Sequence, residues 1–388
     1  MLNRSVATHV HQHVGFWSTQ RGLTSTWGRY GPPVSFDTRH EQEFSSVVPR
    51  DFFFLWTGST FPRINLVALE RLRHHEPTAR ITVYFVDCFP TSSTLDAIAR
   101  VADIDVSVIR SEDVLGELPS RLNHVKSVFD RLPPTALSAR SNLVRYAILL
   151  RQGGIYLDFD VFTVRRLDDE LLTTCFIGEE SVWKSDQRRV AGAWWLCLTP
   201  RTIAWAVVWF AKWLDGLLFF GRLHMARRMS FLNSFWSRRQ VNNAVIGARP
   251  GSEFIEKVLM DSATADPLVR YATGPTLVDR VARRDTHTVR IVGPEHFYAI
   301  PPGDSHRIFR DRTLKLPRSA VFVHYAASNH KHLIAKFEET GRWWGSGGSL
   351  AGGMVRSSGF ADPEGGVVEF SPDWSALYSP IDERGILL

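Results

Sequence analysis

Short apolar runs alternate with longer amphipathic stretches along the chain from about residue 48 onward. The short runs are rich in Phe, Ile, Val and Tyr and end in turn residues, which is typical of buried strands. The longer stretches repeat apolar residues three and four positions apart, which is typical of helices. The pattern predicts strands at 51–56, 81–86, 104–109 and 155–157, and helices at 62–73, 94–102 and 138–151. This alternation predicts an α/β, Rossmann-like fold with a mixed, mostly parallel sheet flanked by helices.

The pattern also divides the 388 residues into three parts. Residues 1–46 are polar and aperiodic, which predicts a loosely ordered N-terminal segment. Residues 47–340 are predicted to form one α/β domain that carries a helical subdomain at 201–240. Residues 341–388 are predicted to form a flexible tail, because glycines are concentrated at its start.

The net charge of +6, from 46 Lys and Arg against 40 Asp and Glu, is concentrated in one place. The segment from Arg201 to Arg249 holds eight basic residues and one acid, and therefore +7, so the remaining chain is about neutral. The same segment holds nine aromatic residues. A basic aromatic segment is typical of proteins that bind nucleic acid, anionic membrane or a phosphorylated ligand.

The longest apolar stretch, Thr202 to Phe220, lies inside this basic segment and is about as long as a membrane span. Lys212 and Asp215 interrupt it, and a charge at mid-bilayer is unfavourable by about 2.5–3.5 kcal/mol. Tryptophans recur every fourth residue from Trp205 to Trp213, which predicts a helix with an aromatic face. Two interpretations stay open: a helix of the protein core, and a helix that docks on an anionic membrane surface.

Composition narrows the class of protein further. Hydrophobic residues make up 44% of the chain, which excludes wholesale disorder. The three cysteines are widely spaced, which predicts neither a disulfide framework nor a structural zinc site and favours a reducing compartment. The first twenty residues contain no apolar run of signal-peptide length. We therefore expect a cytoplasmic protein, placed on the inner face of the membrane if the basic segment docks there.

The most informative polar motif is Asp158-Phe159-Asp160, which follows a predicted strand directly. Ligand sites of parallel α/β sheets lie beyond the carboxyl ends of strands. Residues i and i+2 of an extended segment point the same way, so the two carboxylates repel each other unless a cation lies between them. The motif predicts a Mn²⁺ or Mg²⁺ site with positions left for phosphate oxygens. A second such motif, Asp103-Ile104-Asp105, is interpreted as a strand edge.

The helix that precedes the motif carries two polar residues on one face. Asn142 and Arg145 are three positions apart, and both are expected to point toward the turn that leads to the aspartates. The guanidinium of Arg145 suits phosphate or sugar hydroxyls because it is a planar, multiple donor. Gly153 and Gly154 allow a tight turn between helix and strand.

These residues resemble the signature of the DXD-motif sugar transferases of glycosyltransferase family 32, which recurs in clostridial glucosylating toxins and capsular-polysaccharide transferases. The resemblance covers Ser141-Asn142-Leu143-Val144-Arg145-Tyr146 and Gly153-Gly154-Ile155-Tyr156-Leu157-Asp158-Phe159-Asp160. Weaker similarities occur at Phe54–Gly58, Asn242–Ala248 and Val323–Ser328. Two positions depart from the family pattern: Asn142 stands where the family has Asp, and Asn329 where it has Trp.

The resemblance implies a GT-A fold, a Mn²⁺ or Mg²⁺ cofactor and retaining transfer of a hexose from a nucleotide sugar. It implies that Asp158, Asp160 and Arg145 are catalytic. Further implied roles are base stacking on Trp56, a nucleotide pocket lined by Thr57 and Gly58, donor contacts from Asn142, Arg145, Tyr156, Asp158 and Asn243, and metal ligation by Asp160, Asp158 and His324. Burial in the core remains an alternative for Trp56 and for His324.

The donor implied by the resemblance is a UDP-sugar, with a GDP-sugar as the second candidate, and the acceptor is a saccharide, a lipid-linked molecule or a protein. No nucleic acid partner is expected. Two other functions stay open. The loss of charge at Asn142 suggests an inactive sugar-nucleotide-binding or membrane-associated scaffold. The basic segment suggests a nucleic-acid-binding protein, which would leave the Asp-x-Asp motif unexplained.

Overall fold

The structure is a computed structural model. It describes residues 47–183, 237–340 and 349–358, except positions 59, 102, 267–270 and 313, together with positions 207, 210, 211, 213, 214, 218, 378 and 379. The predicted N-terminal segment 1–46, most of the basic segment and most of the Gly-rich tail lie outside the described residues.

The strands are β1 (Asp51–Trp56), β2 (Arg80–Val86), β3 (Ile104–Ile109), β4 (Gly154–Leu157), β5 (Val161–Thr163), β6 (Phe176–Trp183), β7 (Ser237–Ala248), β8 (Arg290–Val292), β9 (Leu316–Pro317), β10 (Phe322–His324) and β11 (Tyr378–Ser379). The helices are α1 (Arg63–His75), α2 (Ser92–Ala99), α3 (Ser111–Gly116), α4 (His124–Arg131), α5 (Leu137–Gln152), α6 (Glu253–Asp261), α7 (Pro275–Arg284), α8 (Pro294–Phe297), α9 (His306–Arg310), α10 (Lys331–Thr340) and α11 (Leu350–Ser357).

Seven strands form one mixed sheet in the order β3-β2-β1-β4-β7-β6-β8. β1 is parallel to β2 and β4, β2 to β3, and β6 to β8, whereas β7 is antiparallel to both β4 and β6. Helices cover both faces of the sheet. The predicted α/β class with a mixed, mostly parallel sheet flanked by helices is confirmed. A separate ladder pairs β5 with β10 and brings the late part of the chain next to the Asp-x-Asp motif.

Strand β1 shows why the apolar runs form a buried sheet. Its side chains alternate between the two faces. Phe52 and Phe54 join the core on the side of α1 and α2, and Phe53 and Leu55 join the core on the side of α5, α6 and α7. A strand that is covered on both faces reads as a continuous apolar run rather than as an alternating one.

Helix α5 is buried on nearly every side, because each residue from Ser141 to Leu150 is buried. The predicted apolar stripe is therefore part of a helix that is covered all round. Gly153 ends the helix with φ 67° and donates its N–H to Leu149 O at 3.0 Å. Gly154 has φ 98°, and a Cβ there would lie 2.7 Å from Asp51 O. The turn from α5 into β4 thus needs glycine at both positions.

A third core lies on the β5–β10 ladder and extends beyond the predicted end of the domain. It includes buried residues of α1, α9, α10 and α11. The prediction of a flexible tail from residue 341 is therefore wrong for residues 350–357. Ser349 caps α11 by accepting a hydrogen bond from Gly352 N at 3.2 Å, and Met354 on α11 is fully buried. The glycine-rich composition around this helix concealed its short apolar stripe.

The basic segment is described only at its C-terminal end, from Ser237 onward, and at six internal positions. Positions 207, 210, 211, 213, 214 and 218 are helical, in agreement with the helix predicted there. The predicted helical subdomain at 201–240 extends too far, because Ser237 to Gln240 are the first residues of β7. None of the described helices is long and apolar enough to cross a membrane.

Candidate functional site

The turn between β4 and β5 carries the Asp-x-Asp motif, and Phe159 fixes its orientation. The Phe159 ring is buried against Phe54, with ring centroids 4.6 Å apart and near-parallel planes. Its edge contacts to Phe61 and Trp56 are 5.1 and 5.7 Å between centroids. Because Phe159 is held in the core, the aspartates on either side of it are turned away from that core.

Asp158 is held by a buried arginine. Arg145 lies on α5 with 5% of its side chain exposed, and its Nη2 is 3.1 Å from Asp158 Oδ1. Its Nη1 donates to Asn243 O at 2.8 Å, and its guanidinium carbon lies 4.1 Å from the centre of the Tyr156 ring. The hydroxyl of Tyr156 also donates to Asp158 Oδ1. The predicted residues Arg145, Tyr156, Asp158 and Asn243 are thus brought together, with Arg145 directed at the protein rather than at solvent.

Asp160 is held by the late part of the chain. Its Oδ2 accepts a hydrogen bond from Ala327 N at 2.9 Å and lies 3.3 Å from Nε2 of His324, at the end of β10. The backbone N–H of Tyr325 donates to Asp160 O at 2.9 Å. The structure therefore places His324 beside the motif, where the resemblance implied a metal ligand.

Burial and neighbouring charges shift the pKa values of Asp158, Asp160 and His324 in opposite directions. Burial raises the pKa of Asp158 above its ordinary value, and the Arg145 guanidinium offsets only part of that effect. Burial acts in the same direction on Asp160, but the charge of His324 and its hydrogen bond outweigh it and hold the pKa below its ordinary value. Burial alone would lower the pKa of His324, yet Asp160 and Glu180 raise it well above its ordinary value. Asp160 and His324 therefore form an ion pair in the metal-free protein, and a metal ion bound by Nε2 of His324 would displace the proton from that nitrogen.

Asn142 belongs to a buried network of hydrogen bonds. Its Oδ1 accepts from Asn243 Nδ2 at 2.9 Å, and its Nδ2 donates to Thr273 Oγ1 at 3.5 Å. Asn243 Nδ2 also donates to the Tyr146 hydroxyl at 2.9 Å, and that hydroxyl donates to Thr273 O at 3.2 Å. Asn142 and Asn243 thus hold each other beside the Arg145–Asp158 pair. An uncharged amide at residue 142 is compatible with these contacts, since it both donates and accepts.

Trp56, Thr57 and Gly58 lie at the carboxyl end of β1, on the other side of Phe159. The indole of Trp56 is half-buried, and its Nε1 is buried without a hydrogen-bond partner. A Cβ at Gly58 would lie 3.1 Å from that indole, so a larger residue at this position would require the indole to shift slightly. Thr57 lines a cavity of about 210 Å³ together with Asp87.

The cavity beside Thr57 adjoins a second one of about 370 Å³, and the two share Asp87, Phe129 and Arg140. Both carboxylate oxygens of Asp87 accept from Ser111, at 2.8 Å from its N–H and 2.5 Å from its hydroxyl. Asp87 therefore caps the loop that follows β2. Neither cavity is lined by an aspartate of the Asp-x-Asp motif.

The side chains at the motif include candidate ligands for the implied Mn²⁺ or Mg²⁺. Among the described residues, no three His, Cys, Asp or Glu side chains converge as a ready-made metal cluster. Asp158, Asp160 and His324 nevertheless supply two carboxylates and an imidazole at one strand end. Magnesium in phosphate-transferring sites is held by one or two carboxylates and completed by phosphate oxygens and water. The donor set fits such a shared site, in which the ligand supplies part of the coordination.

Glu180 on β6 also lies beside the motif, at a position that the sequence patterns did not predict. Its Oε1 accepts from Asn242 Nδ2 at 2.7 Å, and its Oε2 lies 3.8 Å from His324 Nδ1. Tyr298 borders the same histidine, with ring centroids 5.6 Å apart. Two consecutive acids in an apolar strand were the signal available in the sequence, because one of them must face a covered side of the sheet.

A mixed α/β sheet with an Asp-x-Asp motif at the carboxyl end of a central strand defines a GT-A-like architecture. Residues 113–177 match the model of a family described as "Glycosyltransferase sugar-binding region containing DXD motif". The match includes α5, β4 and both aspartates, and it ends before Glu180, Asn243 and His324. The chain therefore carries a DXD region of the glycosyltransferase type, and membership of family 32 stays a prediction.

Comparisons with whole proteins give distant similarities. A search of curated proteins finds no match. Among solved structures, the chain is similar to the "PaToxG Glycosyltransferase", with 11% identity over 62% of this chain and 70% of that chain and a TM-score of 0.38. It is also similar to the UDP-bound glycosyltransferase domain from the YGT toxin, with 11% identity over 63% of this chain and 80% of that chain and a TM-score of 0.33.

Proposed function

We propose that the protein is a metal-dependent, retaining glycosyltransferase that uses a nucleotide-sugar donor. The observation that carries this proposal is the pair Asp158 and Asp160 at one strand end, each fixed by a buried cation, Arg145 for the first and His324 for the second. A glycosyltransferase DXD region covers the same aspartates.

The chain's own residues act by binding and orienting the donor. A bound Mn²⁺ or Mg²⁺, held by Asp160, Asp158 and a His324 that has released its Nε2 proton, would neutralise the negative charge that develops on the diphosphate leaving group. Arg145 opposes the effect of burial on the pKa of Asp158 and fixes its carboxyl group in place. Asn243, whose side chain is fixed by Asn142 and Tyr146, contacts the sugar. Trp56, Thr57 and Gly58 hold the nucleotide at the end of β1.

Retention of configuration by front-face attack is the mechanism that best fits the carboxylates present. A double displacement needs a carboxylate free to attack the anomeric carbon. Glu180 is a buried carboxylate on the other side of His324 from Asp160, and Asn242 and His324 face its two oxygens. Oδ1 of Asp158 already pairs with Arg145 and accepts a hydrogen bond from the Tyr156 hydroxyl. The acceptor hydroxyl then attacks on the face from which the diphosphate leaves.

A panel of donors tests the proposed function. We expect hydrolysis or transfer from at least one UDP-sugar or GDP-sugar in the presence of Mn²⁺, and loss of that activity in EDTA. Release of nucleoside diphosphate, measured for each sugar, would identify the donor. Binding of a nucleotide sugar without turnover across the whole panel would instead favour the inactive scaffold suggested by Asn142.

We further propose that the basic segment docks on an anionic lipid surface. The helical positions Val207, Phe210, Trp213 and Leu218 are apolar and about half-exposed. Phe210 and Trp213 stack with ring centroids 5.8 Å apart. An exposed apolar helix face within a segment of charge +7 is the combination that binds membrane interfaces. Such docking would suit a lipid-linked or membrane-bound acceptor.

Vesicle binding distinguishes docking from an ordinary core helix. At low salt, the protein is expected to sediment with vesicles that contain anionic lipid and not with neutral ones. Neutralising Arg227 and Arg228 should weaken binding by about 30-fold, since each cation near such a surface contributes about 1 kcal/mol. Phe210→Asp should also weaken binding, whereas Phe89→Asp, at an exposed apolar residue elsewhere, should not. Failure to bind anionic vesicles at low salt would contradict the proposal.

A further inference from the structure

Glu180 is a buried carboxylate whose two oxygens have unequal surroundings. Oε1 accepts a hydrogen bond from Asn242 Nδ2 at 2.7 Å. Oε2 is buried and has no hydrogen-bond partner. A buried carboxylate oxygen without a partner is unfavourable, and the group that this oxygen faces is therefore of interest.

The group that Oε2 faces is the imidazole of His324. Nδ1 of His324 lies 3.8 Å from Glu180 Oε2, and Nε2 lies 3.3 Å from Asp160 Oδ2. Tyr298 closes one side of the ring with its edge. The imidazole therefore has a carboxylate at each of its two nitrogens, and a half-turn of the ring would direct carbon atoms at both carboxylates instead.

We propose that Glu180 is a positioning residue that holds His324 with Nε2 directed at the Asp-x-Asp motif. The inference rests on the proposed function, in which His324 and Asp160 hold the cation. Histidines that ligate metals usually donate their other ring N–H to a carboxylate or carbonyl, which fixes the tautomer and the ring orientation. Glu180 occupies the place of that second carboxylate, and nothing else in the proposed mechanism requires it to be charged.

The neighbouring Glu179 provides a matched control. It precedes Glu180 on the same strand, is equally buried, and points to the opposite face of the sheet. There it pairs with Arg283 at 2.8 Å and with Arg239 at 3.5 Å, on the side away from the motif. Glu179→Gln therefore removes a buried carboxylate of the same strand without touching His324.

Calorimetric titration of the full chain with Mn²⁺ tests the inference. Glu180→Gln is expected to weaken Mn²⁺ binding by about 10- to 100-fold, and Glu179→Gln to leave it unchanged. In a His324→Gln background, Glu180→Gln should have no further effect, because Glu180 acts through the histidine. Thermal unfolding of each variant checks that the fold is retained. Wild-type affinity in Glu180→Gln, or an equal loss in both backgrounds, would overturn the inference.

Nitrogen NMR of the histidine ring separates this inference from the proposed function. In the metal-free protein, Glu180→Gln should shift the Nδ1 resonance of His324, and Glu179→Gln should not. If the wild type binds no Mn²⁺ but the Nδ1 resonance responds to Glu180→Gln, the proposed metal site fails and the positioning contact stands. An Nδ1 resonance that is identical in wild type and Glu180→Gln would overturn the positioning role, whatever the metal does.

Discussion

Replacing Asp160 with alanine is expected to lower Mn²⁺-dependent donor hydrolysis and sugar transfer by about a thousandfold or more. The substitution removes a carboxylate that would ligate the cation, and such a cation contributes several kcal/mol of charge stabilisation to the transition state. Asp160→Asn should lose nearly as much activity, although its amide oxygen can still accept the hydrogen bond from Ala327 N. The measurement is the rate of nucleotide release at saturating Mn²⁺.

The chain offers a matched control for this result in its other Asp-x-Asp sequence. Asp105 lies on the edge strand β3, where it pairs with Arg80 at 3.0 Å and both side chains are largely exposed. Asp105→Ala should leave the rate within a factor of two of wild type, because exposed ion pairs are weak and the residue is remote from the site. Retention of full activity in Asp160→Ala would show that the motif is not the catalytic site.

Replacing Arg145 with methionine is expected to reduce both stability and activity. Loss of the guanidinium leaves Asp158 without its buried counter-charge and Asn243 O without its donor. Breaking a buried ion pair on one side destabilises a protein by about 3–5 kcal/mol, and we expect about 3 kcal/mol because Asp158 is partly exposed. Chemical denaturation measures this free energy of unfolding. Activity should fall by at least about a hundredfold even where the variant is folded.

Two further variants separate the structural from the catalytic part of this effect. Asp158→Asn in the Arg145→Met background removes the unpaired charge and should restore part of the stability without restoring activity. Arg151→Met, at the far end of the same helix, removes the partner of Glu117 outside the site. Arg151→Met should lower the free energy of unfolding by less than Arg145→Met does, and it should leave activity unchanged. If Arg145→Met alone were as stable and active as wild type, the role assigned to Arg145 would be wrong.

The elements that the sequence predicted well are those whose pattern is local. Strands β1 and β3 match their predicted bounds, and α5 differs by one residue at each end. The turn at Gly153 and Gly154 was also predictable, because two glycines before an apolar run leave few other conformations. The Asp-x-Asp motif, with Arg145 one helix earlier, could be located for the same reason. Each of these features depends on neighbouring residues only.

The contacts that the sequence did not predict depend on long-range pairing. Glu180 reaches His324 because β7 runs antiparallel between β4 and β6, and because β10 pairs with β5 beside the motif. The register of β6 and β7 shifts after Ile177, which places Asn242 opposite Gly178. The pattern of apolar and polar residues along the two strands does not predict that change of register.

The orientation of the Arg145 side chain also could not be predicted from the sequence, for a different reason. A helix with one apolar face would have directed Arg145 toward the ligand, as the resemblance implied. Because α5 is covered on all sides, its polar residues must instead find partners within the protein. Arg145 therefore holds Asp158 and the backbone of Asn243. Its contact with a donor remains a prediction.

The central claim is that the Asp-x-Asp motif forms a metal-assisted site for a nucleoside diphosphate. Calorimetric titration of the protein with UDP and with GDP, in the presence and absence of Mn²⁺, tests this claim most directly. We predict that one of the two nucleotides binds wild-type protein in Mn²⁺, binds much more weakly in EDTA, and loses the Mn²⁺-dependent part of its affinity in Asp160→Ala but not in Asp105→Ala. Absence of binding by either nucleotide, or binding that neither EDTA nor Asp160→Ala weakens, would contradict the claim.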